Sequence, residues 1–531
     1  MNMRALYFNY LLKVFARKQA TSIFWIQQSL RYQQSTPTVT SIFSQFEAQI
    51  TSRQYSRFVR SQYTENTSLP KHTANGSPLG SSTKTILLPD FSNHAVAFQN
   101  KSTREIIRAL CVLRLCGFQK LVNNSLQIMN TMQKMSGPIL LKAFVKPTLY
   151  NQFVAGENPE EFRNCVNRLK SANLRPFLGV TIETDVGEET RESTFDKNTQ
   201  KILQCFDLSE SLGVESPFLQ LKITGVMSAD LIARLSDIYN HSSIATRQIL
   251  VKSVAASMSG QDMRMQPFDQ LEPKERESLM LAVQRLKEIG QCASKKTVRI
   301  LVDAEYTYIN PGLSLLTLAM MVAFNQQFPL IWNTYQCYLK KTFETAASEL
   351  GIVQNLGGCF GAKVVRGAYL TQERLRATKL GYPSPIWDSY ELTNQNYNRV
   401  IRYFLEHINQ VGPRCNIIVA THNEESVQLA IERMREMNID PLNGGVHFGQ
   451  LYGMCDQISF PLASAGYAVY KCVPYGPMLE VLPFLARRAM ENQGVLMGSR
   501  KEKTLLWQEL KRRMKNTLKM KSKHNLKVET V

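Results

Sequence analysis

CNIIVATHNEESVQLAIERMREM, residues 415–437, reads as one strand passing into one helix. The first nine residues are short and β-rich, ending in the polar trio Thr421–His422–Asn423. From Asn423 onward the apolar residues fall at helical spacing. Asn423 stands where a capping residue precedes a first turn, ahead of Glu424 and Glu425. The same rhythm recurs on both sides. The other β-rich runs are RPFLGVTIET (175–184), PFLQLKITGV (217–226), VRILVDAE (298–305), PLIWNTYQCY (329–338), GAKVVRGAYL (361–370), GVHFGQLYGM (445–454) and YAVYKCVPYG (467–476). Nearly all are followed by a stretch with helical spacing. Strands alternating with helices predict parallel strands joined by crossovers, and eight such units close a barrel. The expected class is therefore α/β, a (βα)8 TIM-type barrel. An open doubly wound sheet is the alternative, but no Gly-rich GxGxxG opens the first unit.

The rest of the chain frames this unit. Residues 92–174 read as helices, with apolar residues at three- and four-residue spacing in STREIIRALCVLRLCGFQKLV (102–122), and predict an N-terminal helical arm. Residues 61–91, rich in Ser, Thr, Pro, Gly and Asn, read as a linker. The barrel is expected over 175–500. Residues 253–290 read as an inserted loop and then a helix. A basic C-terminal helix and tail follow over 501–531. LSLLTLAMMVAF (313–324) is too short to span a bilayer and reads as a buried helix.

The formal charge of +20 in 531 residues would ordinarily suggest a nucleic-acid or membrane partner. Its distribution argues otherwise. Residues 1–60 carry +7 and residues 500–531 carry +8, leaving only +5 on the 439 between. The first 46 residues hold no Asp or Glu but include Arg4, Lys13, Arg17, Lys18 and Arg31. That is transit-peptide composition, and residues 1–60 are assigned as a mitochondrial transit peptide or disordered tail. Ten cysteines without a CxxC pair suggest neither zinc nor a disulfide framework, and no metal is expected.

Strand ends at the C-terminal face are where a barrel of this kind keeps its chemistry. That rule gathers Lys222, Asp303–Ala304–Glu305, Asn333, Tyr335, Gln336, Lys363, Arg366, Gly367–Ala368–Tyr369, Thr421–His422–Asn423, Tyr470 and Cys472. Each has a structural reading as a cap, an ion pair or a core residue; Asn423 reads best as a cap. Polar groups on otherwise apolar strands are costly unless paired, so their joint position suggests a polar pocket. VLPFLARRAMENQG (481–494) adds adjacent Arg487 and Arg488, with Glu491 one turn later. One ion pair would leave the other guanidinium needing an anion, and its planar fork suits a carboxylate or phosphate.

VDAEYTY, NTYQCYLK, GAKVVRGAYL, ATHNEESV, HFGQLYGMCDQISFPLASAGY and YKCVPYGPMLEVLPFLARRAMEN together resemble the proline dehydrogenase family in its mitochondrial animal form. The resemblance covers roughly residues 92–515, most strongly 298–515. It implies a distorted barrel binding FAD noncovalently at the strand ends. The implied reaction oxidises L-proline to Δ1-pyrroline-5-carboxylate and passes electrons to a membrane quinone, on the matrix side of the inner mitochondrial membrane as a peripheral protein. No nucleic-acid partner is implied. Carried over by matching segments, Arg487, Arg488 and Lys222 would grip the substrate carboxylate. Tyr369, Leu451, Cys472 and Phe484 would line the substrate pocket. Asp303 would order and polarise the site, and Lys363 would face the flavin edge that gains negative charge. Ala304, Asn333, Lys363, Arg366, Gly367, Ala368, Thr421 and His422 match cofactor-contacting positions, and Glu491 would restrain the arginines. Two positions depart from the proline enzymes' YKYVPYG and YLxRR: Cys472 and Phe484 replace tyrosines. Hydroxyproline-oxidising relatives also carry a small residue at the first of these places, so trans-4-hydroxy-L-proline is the rival substrate. A barrel enzyme acting on a phosphorylated substrate is a remoter reading, disfavoured by the lack of a Gly-rich loop after the seventh strand.

Overall fold

A computed structural model describes residues 88–125, 127–128, 131, 142–179, 191–481, 485–486 and 500–528. All lie within one of two compact units of the chain, residues 84–531. At its centre eight parallel strands close in sequence order: β1 (Arg175–Gly179), β2 (Phe218–Leu221), β3 (Arg299–Val302), β4 (Ile331–Gln336), β5 (Phe360–Val365), β6 (Cys415–Ala420), β7 (Val446–Leu451) and β8 (Val469–Pro474). β8 returns to pair with β1, with Phe177 opposite Cys472, so no edge is left open. All eight expected strands are present.

Side chains alternate along each strand, and the inner set builds layers. Toward the N-terminal end Phe218, Trp332 and Tyr470 interlock with His447; the Phe218 and Trp332 rings meet edge-on at 5.1 Å and Phe218 and Tyr470 at 4.8 Å. Gly361 makes room for this layer, since a Cβ there would lie 2.5 Å from Trp332 Cγ. Arg299 packs its guanidinium over Phe218 and Trp332 at 5.5 and 5.7 Å and donates to His447 Nε2 at 3.2 Å.

Helices clothe the barrel. In chain order they are α1 (Thr103–Leu115), α2 (Pro159–Lys170), α3 (Glu192–Ser211), α4 (Ala229–Asn240), α5 (Ile244–Met258), α6 (Pro273–Lys296), α7 (Asn310–Phe324), α8 (Thr342–Asn355), α9 (Leu370–Leu380), α10 (Tyr390–Val411), α11 (Glu424–Glu436), α12 (Asp456–Ser464) and α13 (Arg500–Val528). α1 opens on a capping box, Ser102 with Glu105, Asn158 caps α2, and Asn423 caps α11 as the sequence implies. α7 is buried continuously from Gly312 to Met321, as its apolar run predicts. One boundary differs from expectation: Ser253–Met258 are the last turns of α5 rather than loop. Small and apolar residues on all sides leave that helix without a periodic stripe to read. α13, described from Arg500, matches the basic C-terminal helix expected from residue 501 to within one residue. It packs Leu505, Leu506 and Leu510 against Ile106, Ala109 and Leu113 of α1 and against Met454.

Candidate active site

The inner-facing positions at the C-terminal strand ends converge. Asp303 follows β3 and still donates its backbone N–H to Leu221 of β2 at 2.9 Å, which fixes the carboxylate at the rim. Lys363 of β5 reaches across to it, Nζ to Oδ1 at 2.6 Å, with both side chains largely shielded from solvent. Lys222 follows β2 directly and is half-buried. Behind this group Glu305 is 4% exposed and accepts from Thr224 Oγ1 at 2.8 Å. Its backbone N–H donates to Asn310, whose Nδ2 also reaches Gln336 Oε1 at 3.2 Å. A carboxylate and two lysines are thus held on a polar backing.

Arg366 extends from the end of β5 toward α10 and α11. It donates to Asn394 Oδ1 at 2.9 Å, to Thr421 Oγ1 and to Ser426 Oγ at 3.0 Å, and lies 4.3 Å over the Tyr397 ring. Every one of these partners is neutral, and among the described residues Arg366 makes no ion pair. Gly367 turns the chain at φ 135°, and a Cβ there would sit 2.3 Å from the Tyr338 ring, so the glycine is required by a neighbouring side chain. Ala368 follows, half-buried. Tyr369 sets its ring 4.4 Å from Tyr306 at a tilt of 42°, and Tyr306 stacks on Tyr308 at 5.7 Å, forming an aromatic wall beyond β3 and β5.

His422 is a neutral imidazole. Its Nε2 accepts the backbone N–H of Leu451 at 3.2 Å, which puts the ring proton on Nδ1. Burial, with Lys471 and Arg366 nearby, pushes its pKa down to about 3. Leu451 packs partly into the barrel interior and partly against the α1–α13 cluster. Cys472 is 5% exposed on the inner wall, with its Sγ 3.3 Å from Gln220 Oε1.

The structure separates Asn333 from this group. Its Nδ2 donates outward to Ser314 of α7 and Glu349 of α8, at 3.0 and 3.1 Å. Strand parity explains the difference: Trp332 belongs to the barrel interior, so Asn333 faces the helices and Thr334 and Gln336 turn inward again. Gln336, 4% exposed at the strand end, is the amide on the inner face. Alternation counted from Trp332 is the signal that finds it. Phe484, Arg487, Arg488 and Glu491 lie outside the described residues. The chain leading to them is anchored: Tyr150 donates to the Gly476 carbonyl at 2.7 Å, and Leu485 packs against Val145, Tyr150, Val154, Met478 and Val481.

A second network, without a sequence signal, supports the β7 end. Asp456 pairs with Lys101 at 2.8 Å and with Lys471 at 2.9 Å. Lys471 also donates to the carbonyls of Met454 at 2.6 Å and Leu451 at 3.3 Å. Glu502 of α13 accepts the backbone N–H groups of Cys455 and Asp456, at 3.2 and 3.3 Å, and so caps α12. Burial, with Asp456 adding repulsion, raises its pKa to about 7. Among the described residues no helix is long and apolar enough to cross a membrane.

Comparison with known proteins follows the same outline. The sequence profile of the proline dehydrogenase family matches residues 163–501. Hydroxyproline dehydrogenase of Xenopus laevis is 46% identical over 427 residues, 80% of this chain and 90% of the relative. The Homo sapiens protein of that name is 42% identical over 79% of this chain and 92% of its own length. Mitochondrial proline dehydrogenase 1 of Homo sapiens is 31% identical, over 80% and 90%. Among solved structures, proline utilization A from Bdellovibrio bacteriovorus, inactivated by N-propargylglycine, superposes with a TM-score of 0.51 at 18% identity. That match spans 75% of this chain and 38% of the other, and it establishes the shared barrel.

Proposed function

The chain belongs to the proline dehydrogenase family of oxidoreductases, and on that premise we propose that it oxidises a five-membered ring imino acid at its CH–NH bond with FAD as cofactor. The observation that carries this reading is the convergence of Lys222, Asp303 and Lys363 on the inner rim, with the Lys363–Asp303 pair at 2.6 Å. The residues present fit a flavin dinucleotide. Arg366 is held rigidly by neutral groups, and an arginine without a carboxylate suits a ligand that brings negative charge, as a dinucleotide does. Thr421 and His422 stand beside it, with Ala304, Gly367 and Ala368 on the neighbouring rim. Gln336 takes the inner-face position on β4 that Asn333 does not.

When bound, the flavin supplies the two-electron acceptor for the C–H bond beside the ring nitrogen. The chain's own contribution is orientation and charge. Lys222, with Arg487 and Arg488, would hold the substrate carboxylate, and several cations offset the desolvation of one buried anion. Fixing that group fixes the ring. Asp303 keeps the Lys363 ammonium at one place on the rim, where a cation stabilises negative charge gained on reduction. The proton lost from the ring nitrogen goes to Asp303 or to water. Tyr369 and Leu451 would close the sides.

Family membership carries the proline reading, giving Δ1-pyrroline-5-carboxylate. A second reading, trans-4-hydroxy-L-proline as the preferred substrate, is favoured by two observations. Cys472, buried on the inner wall, carries a thiol where the family's proline enzymes carry a phenol. The hydroxyproline dehydrogenases compared above are also more similar to this chain than mitochondrial proline dehydrogenase 1. We further assign the protein to mitochondria, peripheral to the inner membrane, with residues 1–60 as targeting segment and a membrane quinone as electron acceptor. The deciding experiment is kcat/KM of the purified yellow protein for L-proline and trans-4-hydroxy-L-proline with a quinone acceptor. A colourless protein that oxidises neither would overturn the proposal. Tetrahydrofuran-2-carboxylate, which has the carboxylate but no oxidisable amine, should inhibit competitively.

A further inference from the structure

We propose that Gln220 determines specificity, its side-chain amide donating a hydrogen bond to the 4-hydroxyl group of a hydroxylated ring acid. This rests on the ring-acid reading above and adds a residue and a contact to it.

Gln220 lies on the inner face of β2, between Phe218 in the aromatic layer and Lys222 at the rim. Its Oε1 is occupied by the Cys472 thiol, 3.3 Å away. Gly179 of β1 completes the contact: a Cβ there would lie 3.2 Å from Cys472 Sγ and 3.4 Å from Gln220 Oε1. Three adjacent strands, β8, β1 and β2, therefore bring a thiol, a bare backbone position and an amide to one patch of wall.

Orientation of the amide follows from the thiol. A cysteine S–H is a donor, so the group it points at is the carboxamide oxygen, and the –NH2 end is directed elsewhere. Among the described residues Gln220 Nε2 makes no hydrogen bond, which leaves two N–H donors half-buried in the barrel. Lys222 stands two residues further along the same face, roughly 7 Å toward the rim. A small ring anchored by its carboxylate at that level can turn its distal carbons toward the Gln220–Cys472 layer. A hydroxyl on a distal carbon would accept one of the free N–H groups. Without such a donor the hydroxyl would lose its water partners and gain no replacement. Unsubstituted proline needs no such partner. The amide thus separates two substrates that share every other contact, and a polar pocket of this kind discriminates more sharply than shape alone.

The test compares kcat/KM for trans-4-hydroxy-L-proline with that for L-proline, in wild type and in Gln220→Met, which keeps the length of the side chain and removes the donor. The ratio is the readout, whatever happens to the common rate. It should fall roughly tenfold or more; an unchanged ratio overturns the assignment. A second measurement needs no variant. Wild-type enzyme is given trans-4-fluoro-L-proline, which withdraws electrons as the hydroxyl does but accepts hydrogen bonds poorly. It should be used markedly less well than the hydroxylated ring, and equal use overturns the proposal. Failure of the parent reading looks different: wild type would then oxidise no ring acid at all.

Discussion

The two ends of the barrel handle positive charge in opposite ways. At the N-terminal end Arg299 is pressed against Phe218 and Trp332 and hydrogen-bonded to a neutral His447, whose pKa burial drives far down. At the C-terminal end Lys363 is matched to Asp303, while Arg366 is clamped by an amide and two hydroxyls. The first arrangement packs its cation against aromatic rings. The second leaves cationic and carboxylate groups on a rim where loops begin. Similar residue types therefore serve packing at one end and recognition at the other, and what separates them is the company each cation keeps.

That contrast can be broken from either side. The largest effect is expected from Trp332→Ala, which empties the sealed layer and should cost about 3–5 kcal/mol of stability. Denaturant unfolding should register the loss, with kcat/KM per folded molecule close to wild type. Equal losses in both would mean that the two ends are not independent. Arg487→Met and Arg488→Met, the two arginines of the proposed carboxylate clamp, should each lower kcat/KM roughly hundredfold, mainly through KM. Flavin absorbance should persist, and unchanged kinetics in both variants would remove the carboxylate clamp. Cys472→Tyr puts a phenol beside Gln220 and should move the hydroxyproline-to-proline ratio toward proline by roughly tenfold. A shift the other way would contradict the pocket reading.

The smallest effect concerns Glu502, whose pKa is raised to about 7 from an ordinary value near 4.5. Between those two values the folded chain holds a proton that the unfolded chain releases. Its contribution to stability is full at low pH and declines as pH rises through 7. Glu502→Gln removes that dependence while keeping one acceptor for the α12 amides. Melting curves from pH 5 to 8 should show wild type losing ground to the variant as pH rises; a constant difference would place the titration elsewhere.

Much of the architecture is legible because it is local. Each strand announces itself by a short β-rich run and most helices by their spacing, and Asn423 caps a helix as its neighbours suggest. Asn333 shows where local reading fails. A polar residue in an apolar strand looks like a site residue, yet its face depends on parity counted from an inward neighbour, and here it serves Ser314 and Glu349. The pairing of Lys101, Lys471, Asp456 and Glu502 is invisible for a different reason: no pattern links an arm, two barrel segments and a terminal helix until they are packed together.

By itself the sequence determined the eight βα units, the charge concentrated at its ends and the residue types gathered at the strand ends, because all three are properties of neighbours along the chain. Tertiary structure alone decided which strand residues face inward, that Lys363 pairs with Asp303, and that Gln220 meets Cys472. Those choices arise when closure sets the stagger between strands and burial obliges each polar group to find a partner across them.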